Sequence, residues 1–430
     1  MVLGLFVGLL VMILAGVPII FCIGLTALLG ILLIPGLPTV VFAQRMFTIL
    51  DNFSLLAIPY FILAGELMCK GGISKRLVSF AEACVGHLRG GLGMVSILSS
   101  MIFGGVSGSA VADTSAIGSL LIPAMKEKGY KPGYAASLLA ASGTIGPTIP
   151  PSMNMIIYGS MAGVSIGGLF MAGIIPGVVI GVGLMLTVYF QSFFPKYPEL
   201  RDVVGKFSFA NLWSKTKQAW TALIAPLIVL GGIICSVFTA TEAGAVAVIY
   251  SLFVSYFVYK SIKLKDLPAI LLDTAVTTAV VLGILATAGA FSWLLAYLDF
   301  NEIVFKLLTS ISTNPTIVLL VLIALIIGLT MFVECLAVLI LLMPVFVYIC
   351  SQFGFNPYYF GLLMVMTIQV GAVTPPVGVL LYVATGIAEN TFDDTLKYIT
   401  PFILTLIIVL LLIVLCPPLA TWIPGIFLKQ

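Results

Sequence analysis

Hydrophobic positions along this chain come in long blocks, and the blocks are the size of membrane spans. A helix needs about 20 apolar residues to cross a bilayer. Blocks of that order predict spans at 3–33, 53–69, 166–193, 221–238, 240–259, 268–296 and 396–422. Two more blocks, 131–161 and 357–388, are interrupted by a Gly-x-x-x-Pro-Pro element, GPTIPP at 146–151 and GAVTPP at 371–376. A proline pair removes two backbone donors and clashes with the preceding turn, so each of these segments is predicted as two half-helices around an unwound loop. In lipid, unwound backbone persists only where protein or a water-filled cavity satisfies it. Paired broken helices at matching positions of two halves point to the substrate and ion site of a secondary transporter.

Two further apolar stretches, 92–126 and 316–350, are each about 35 residues long and interrupted near the middle. Helices of roughly 15 residues, at about 1.5 Å per residue, fall short of a full crossing. Both stretches are therefore predicted as re-entrant hairpins, with tips at 107–109 and 328–330. An internal repeat supports this. With an offset of 221, Ser109 pairs with Thr330, Asp113 with Glu334, Ala116 with Ala337 and Pro123 with Pro344; after a four-residue insertion, Pro132 pairs with Pro357, Tyr134 with Tyr359, Gly146 with Gly371 and the two proline pairs with each other.

Charge predicts that the copies are inverted. The first hairpin ends in Lys126, Lys128 and Lys131, and the matching end of the second, ICSQFGFNPYY, has no charge. Residues 70–89 carry Lys70, Lys75, Arg76 and Arg89, whereas 299–315 offer Asp299, Glu302 and Lys306. Short cytoplasmic loops collect Lys and Arg, so the first hairpin opens to the cytoplasm and the second to the outside. The basic loops at 194–217 (Lys196, Arg201, Lys206, Lys215, Lys217) and 260–265 agree. Nine spans and two hairpins then put the N-terminus inside and the C-terminus outside. Stretches 73–88, 300–313 and 207–220 read as helices lying along the interface, the last anchored by Trp213 and Trp220.

The expected organisation is first-repeat scaffold and arm at 1–90, first hairpin and broken helix at 91–162, and connecting spans with an amphipathic loop at 163–267. The second-repeat span and arm follow at 268–315, the second hairpin and broken helix at 316–390, and the last span at 391–430. Composition agrees with an all-α polytopic membrane protein: 61% of residues are hydrophobic and 8% charged, against roughly 25% charged in soluble domains. A net charge of +3, spread over loops, gives no sign of nucleic-acid binding. The start is apolar with no basic n-region, so 1–33 reads as a retained span. The seven cysteines lack CxxC spacing and read as apolar packing residues. His87 is the only histidine and makes no metal site.

At GGVSGSAVADTSAIGSLLIPAMKEKGY (104–130) and AASGTIGPTIPPSMNMIIYG (140–159) the chain strongly resembles the large membrane subunit of the tripartite ATP-independent periplasmic (TRAP) transporters. IPYFILAGELM (58–68) and QVGAVTPPVGVLLYVATGIA (369–388) extend the resemblance through essentially the whole chain. It implies sodium-driven uptake of an organic acid across a bacterial inner membrane, with an ion-transporter-like elevator fold. It also implies two partners, a soluble periplasmic binding protein and a small membrane subunit of about four helices. A stand-alone sodium- or proton-coupled dicarboxylate or citrate carrier is the alternative. An enzyme is poorly supported: there is no HExxH, no GxSxG with a membrane histidine and no GxGD-type aspartate pair.

Sodium takes about five or six oxygen ligands, and broken helices free carbonyls for it. One ion is expected between the first tip (Ser107, Gly108, Ser109) and the loop carrying Ser142, Gly146 and Thr148. Its mate is expected between Gly328 and Thr330 and the loop at Gly371, Val373 and Thr374. With no Arg or Lys near either tip, the acid is expected to bind at helix N-termini, with Ser109, Ser152, Asn154, Thr330 and Thr374 adding hydrogen bonds. Four carboxylates in apolar surroundings (Glu66, Asp113, Glu242, Glu334) are candidates by default, for ion coupling or for stabilising the hairpins. The acid itself is read first as sialic acid and second as a C4-dicarboxylate.

Overall fold

The computed structural model describes residues 1–428 apart from 202, 204, 206 and 236, so Lys206 lies outside the described residues. Among the described residues there is no strand. The first predicted span, 3–33, is two helices, α1 (Val2–Leu14) and α2 (Ile19–Leu32). Gly16 has a φ of +76° and Pro18 offers no donor, so the chain turns between them. Next, α3 (Val40–Leu50), unassigned in the sequence, has no buried residue. It is followed by α4 (Ala57–Lys70) and the amphipathic α5 (Ile73–Val85).

The first predicted hairpin is α6 (Gly91–Ser107) and α7 (Ala110–Glu127), which pack against each other. At 17 and 18 residues each is about 26 Å long, short of the ~30 Å hydrocarbon core. The broken segment after it is α8 (Pro132–Gly143) and α9 (Met153–Ala162), and α10 (Ile166–Gln191) is a full-length helix. Then come α11 (Phe209–Ile234), α12 (Ala240–Phe253, extended by a π turn to Val258), α13 (Leu267–Tyr297) and the arm α14 (Phe300–Ile311). The second half closes with α15 (Pro315–Thr330), α16 (Cys335–Leu341), α17 (Met343–Phe353), α18 (Pro357–Ala372), α19 (Val379–Ala388), α20 (Phe392–Leu415) and α21 (Pro418–Phe427).

Among the described residues, six continuous helices are long and apolar enough to cross a membrane. They match six of the nine expected spans; the other three, 3–33, 131–161 and 357–388, are each a pair of short helices. Three expectations shift. The interfacial helix at 207–220 and the span at 221–238 are one helix, because nothing between the Ser208 cap and Ile234 stops it and Pro226 is absorbed within it. The last span stops at Leu415, where Pro417 and Pro418 end it. The second tip is not at 328–330: those residues finish α15, and the break falls at 331–334, where Glu334 caps α16.

Within one large apolar core, two sets of contacts stand out. In one, α4 packs on α12 and α13, and α13 on α2 and α3. In the other, α8 packs on α7, α19 and α20, and α18 on α10, α15 and α16. Residues 133–143 of α8 and 359–372 of α18 are buried on every side. A helix apolar all round belongs inside a bundle. The small residues of α8 (Gly133, Ala135, Ala136, Ser137, Ala140, Ala141) let its neighbours approach closely. The broken helices thus run into the interior of the protein and deliver their unwound loops there.

Candidate functional site

All four chain breaks meet at one place. A cavity of about 70 Å³ is lined by the α6–α7 turn (Gly108, Ser109), the α8–α9 break (Pro147, Asn154), the α15–α16 break (Glu334) and the end of α18 (Gln369). The tips are tied to the breaks by backbone: Met153 N–H donates to Gly108 O at 3.4 Å, and Val377 N–H to Met331 O at 3.2 Å. Gly108 has a φ of +63°, and a Cβ there would collide with Pro151 O. Only glycine allows the turn to sit this close.

The first cluster centres on Asp113, which is fully buried. Ser107 Oγ donates to its Oδ1, and Oδ2 has no partner. A Cβ on Gly146 would run into this carboxylate, and one on Gly104 would lie 2.6 Å from Gly146 Cα, so the unwound loop rests directly on α6 and Asp113. Thr114 Oγ1, also buried and unpartnered, faces Gly143. Ser109 caps α7, accepting from Ala112 N at 3.4 Å. Ser142 Oγ donates to Leu138 O (2.7 Å) and Thr148 Oγ1 to Thr144 O (3.4 Å), which leaves their lone pairs available. Ser152 caps α9 and donates to Pro147 O at 2.5 Å, pinning the loop rather than lining the cavity. An unpaired carboxylate oxygen in an apolar interior is an acceptor for a proton or a small cation.

The second cluster is less polar. Thr330 Oγ1 donates to Ile326 O at 2.8 Å and lies against Gly371, whose Cβ it would exclude. Thr374 Oγ1 donates to Val370 O at 2.6 Å, and Val373 is buried beside it. Gly328 stands apart, inside α15 with open space around it. Of the expected substrate residues, Ser109 and Asn154 line the cavity; Ser152, Thr330 and Thr374 line neither it nor its larger neighbour.

That neighbour, of about 460 Å³, lies between α4 and the first hairpin and shares Ser109, Val111 and Met153 with the smaller cavity. Glu66 lines it, 3.9 Å from Lys70, which also pairs with Asp273. Glu242 is elsewhere, in an exposed capping box at the start of α12 with Thr239 N–H donating to it at 2.8 Å. Thr114 and Gln369 were not singled out from the sequence. Thr114 sits beside Asp113 and Ser115 in α7, and Gln369 in a helix buried on every side, so no polar face marks which way either one points.

The family described as "Tripartite ATP-independent periplasmic transporter, DctM component" matches residues 6–419. The chain belongs to this family. A putative TRAP transporter large permease protein of Haemophilus influenzae is 40% identical over 95% of both chains. The sialic acid TRAP transporter large permease protein SiaM of Vibrio cholerae is 37% identical over 96% of both. In fold the chain is similar to the YdaH transporter of Alcanivorax borkumensis, with a TM-score of 0.62 at 15% identity over 89% of this chain and 87% of that one. A TRAP large permease is a multi-pass membrane transporter subunit, not an enzyme.

Proposed function

We propose that this chain is the permease subunit of a sodium-driven, binding-protein-dependent transporter that imports an organic acid by an elevator movement. The convergence of four chain breaks on one cavity beside an unpaired buried carboxylate carries this reading. One sodium ion sits among Ser107, Gly108, Ser109, Ser142, Gly146 and Thr148, with Asp113 supplying the charge. A second sits among Thr330, Gly371, Val373 and Thr374. The cation offsets the charge of the acid, which binds at the N-termini of α7, α9 and α19 without a basic side chain.

The two hairpin-and-broken-helix units are inverted copies, the first opening to the cytoplasm and the second to the outside, with the N-terminus inside and the C-terminus outside. The group containing α6–α9 and α15–α19 moves against α2, α4, α12 and α13. The 460 Å³ cavity runs from the first tip to Cys69, at the Lys70 end of α4. That end carries the basic loops, so this conformation opens inward. A soluble binding protein delivers the acid to the outward-open form, and a small four-helix subunit braces the stationary group. Sialic acid is the first candidate, on the name of the Vibrio cholerae relative, and a C4-dicarboxylate the second.

Reconstitution tests this. Liposomes carrying the chain with its small subunit should accumulate labelled acid only with binding protein outside and a sodium gradient. Equal uptake in potassium buffer would remove the ion coupling. Uptake without the binding protein would restore the stand-alone carrier.

A further inference from the structure

We infer that the substrate is a monoanion rich in hydroxyl or amide groups and that Glu334 excludes dicarboxylates. The inference rests on the organic-acid reading above and names its substrate class. Three helix N-termini open onto the 70 Å³ cavity, at Ala110 of α7, Asn154 of α9 and Val379 of α19. Their caps are neutral: Ser109, Ser152 and Gly378. The α16 terminus, on the same cavity, is capped by a carboxylate of the chain itself, Glu334 Oε2 accepting from Ala337 N at 2.9 Å. A carboxyl group of the chain is therefore built into the site before any ligand enters. Among the described residues no Lys, Arg or His lines this cavity or the 460 Å³ one that continues it. A second carboxylate on the ligand would meet Glu334 with no cationic side chain to offset it, and like charges in a desolvated space repel strongly.

What the cavity does offer is hydrogen-bond acceptors. Gln369 is 4% exposed, its Oε1 has no partner, and the side chain lines the cavity. A buried acceptor left unpaired is costly, and a ligand O–H or N–H supplies the missing donor. Asn154, 6% exposed, brings an amide from the opposite break. A site built to bond a hydroxyl rejects the analogue lacking it far more strongly than an apolar pocket rejects an added methylene. At 70 Å³ the inner cavity holds only the head of such a molecule; a liquid water alone takes about 30 Å³. The body extends past Ser109 into the larger space, beside Ser115 and Ser119.

The test is equilibrium binding to the purified full chain in lipid nanodiscs with saturating sodium. The probes are N-acetylneuraminate and gluconate (hydroxylated monoacids), succinate (a dicarboxylate) and butyrate (a monoacid with no hydroxyl). A hydroxylated monoacid should bind at least about tenfold tighter than succinate or butyrate. Glu334→Gln, which keeps an acceptor for Ala337 N–H, should shrink the margin over succinate by about tenfold. Gln369→Leu should weaken the hydroxylated monoacids and so shrink their margins over butyrate and succinate alike, whereas Glu334→Gln moves the succinate margin alone. Melting curves of the ligand-free variants establish that they are folded. Succinate binding as tightly as the monoacids, or margins unmoved in folded variants, overturns the inference and leaves the organic-acid reading intact. If the folded chain binds none of the four acids, that reading fails and takes the inference with it.

Discussion

Asp113 holds one carboxylate oxygen against Ser107 and leaves the other without a donor, under the loop at Gly146. Asp113→Asn keeps the shape and removes the charge. The half-saturating sodium concentration for acid binding should rise by at least about tenfold, ~1.4 kcal/mol; an unchanged sodium titration would assign Asp113 to hairpin packing alone. Gly146→Ala and Gly371→Ala each place a methyl group where Asp113 or Thr330 already sits. Overpacking costs about 1–3 kcal/mol, so both should melt earlier in detergent than the parent chain. Ser107, Ser109 and Asp113 were legible in the sequence because the repeat paired the tips. Gln369 was hidden, since the direction a lone polar side chain takes from an all-buried helix depends on packing between helices. Glu242 looked like a membrane carboxylate because apolar residues flank it; its capping role depends on where α12 starts, and boundaries are weakly encoded.

At the scale of elements, the proline pairs carried most of the information. They fall inside the unwound stretches that follow α8 and α18, and the breaks at 144–152 and 373–378 cover the two Gly-x-x-x-Pro-Pro elements almost entirely. Continuous apolar runs are less telling. The joining of 207–220 to 221–234 in α11, and the extension of α15 to Thr330, both come from the absence of a local stop. Replacing Pro150 and Pro151 together with Ala removes the stop in the first broken helix. Sodium-dependent acid binding should be lost while the protein still inserts and is recovered from membranes. Retained binding would show that the unwound loop is held by its neighbours alone.

For the molecule as a whole, the elevator account requires the α6–α9 group to slide past α4. Cys69 is exposed on the cavity between them. A bulky maleimide there should slow uptake severalfold, and Cys69→Ser should make the transporter resistant. Uptake equally inhibited in the Ser variant would move the block to another cysteine and away from this crevice.

The proposed inverted arrangement underlies all of this, and sided labelling tests it most directly. Cysteines placed singly at Lys128, beyond the first hairpin, and at Phe353, beyond the second, are exposed in intact cells to a membrane-impermeant thiol reagent in an otherwise cysteine-free chain. Position 353 should react from outside and position 128 only after permeabilisation. Reaction of both from the same face would contradict the inverted repeat and, with it, the paired ion sites.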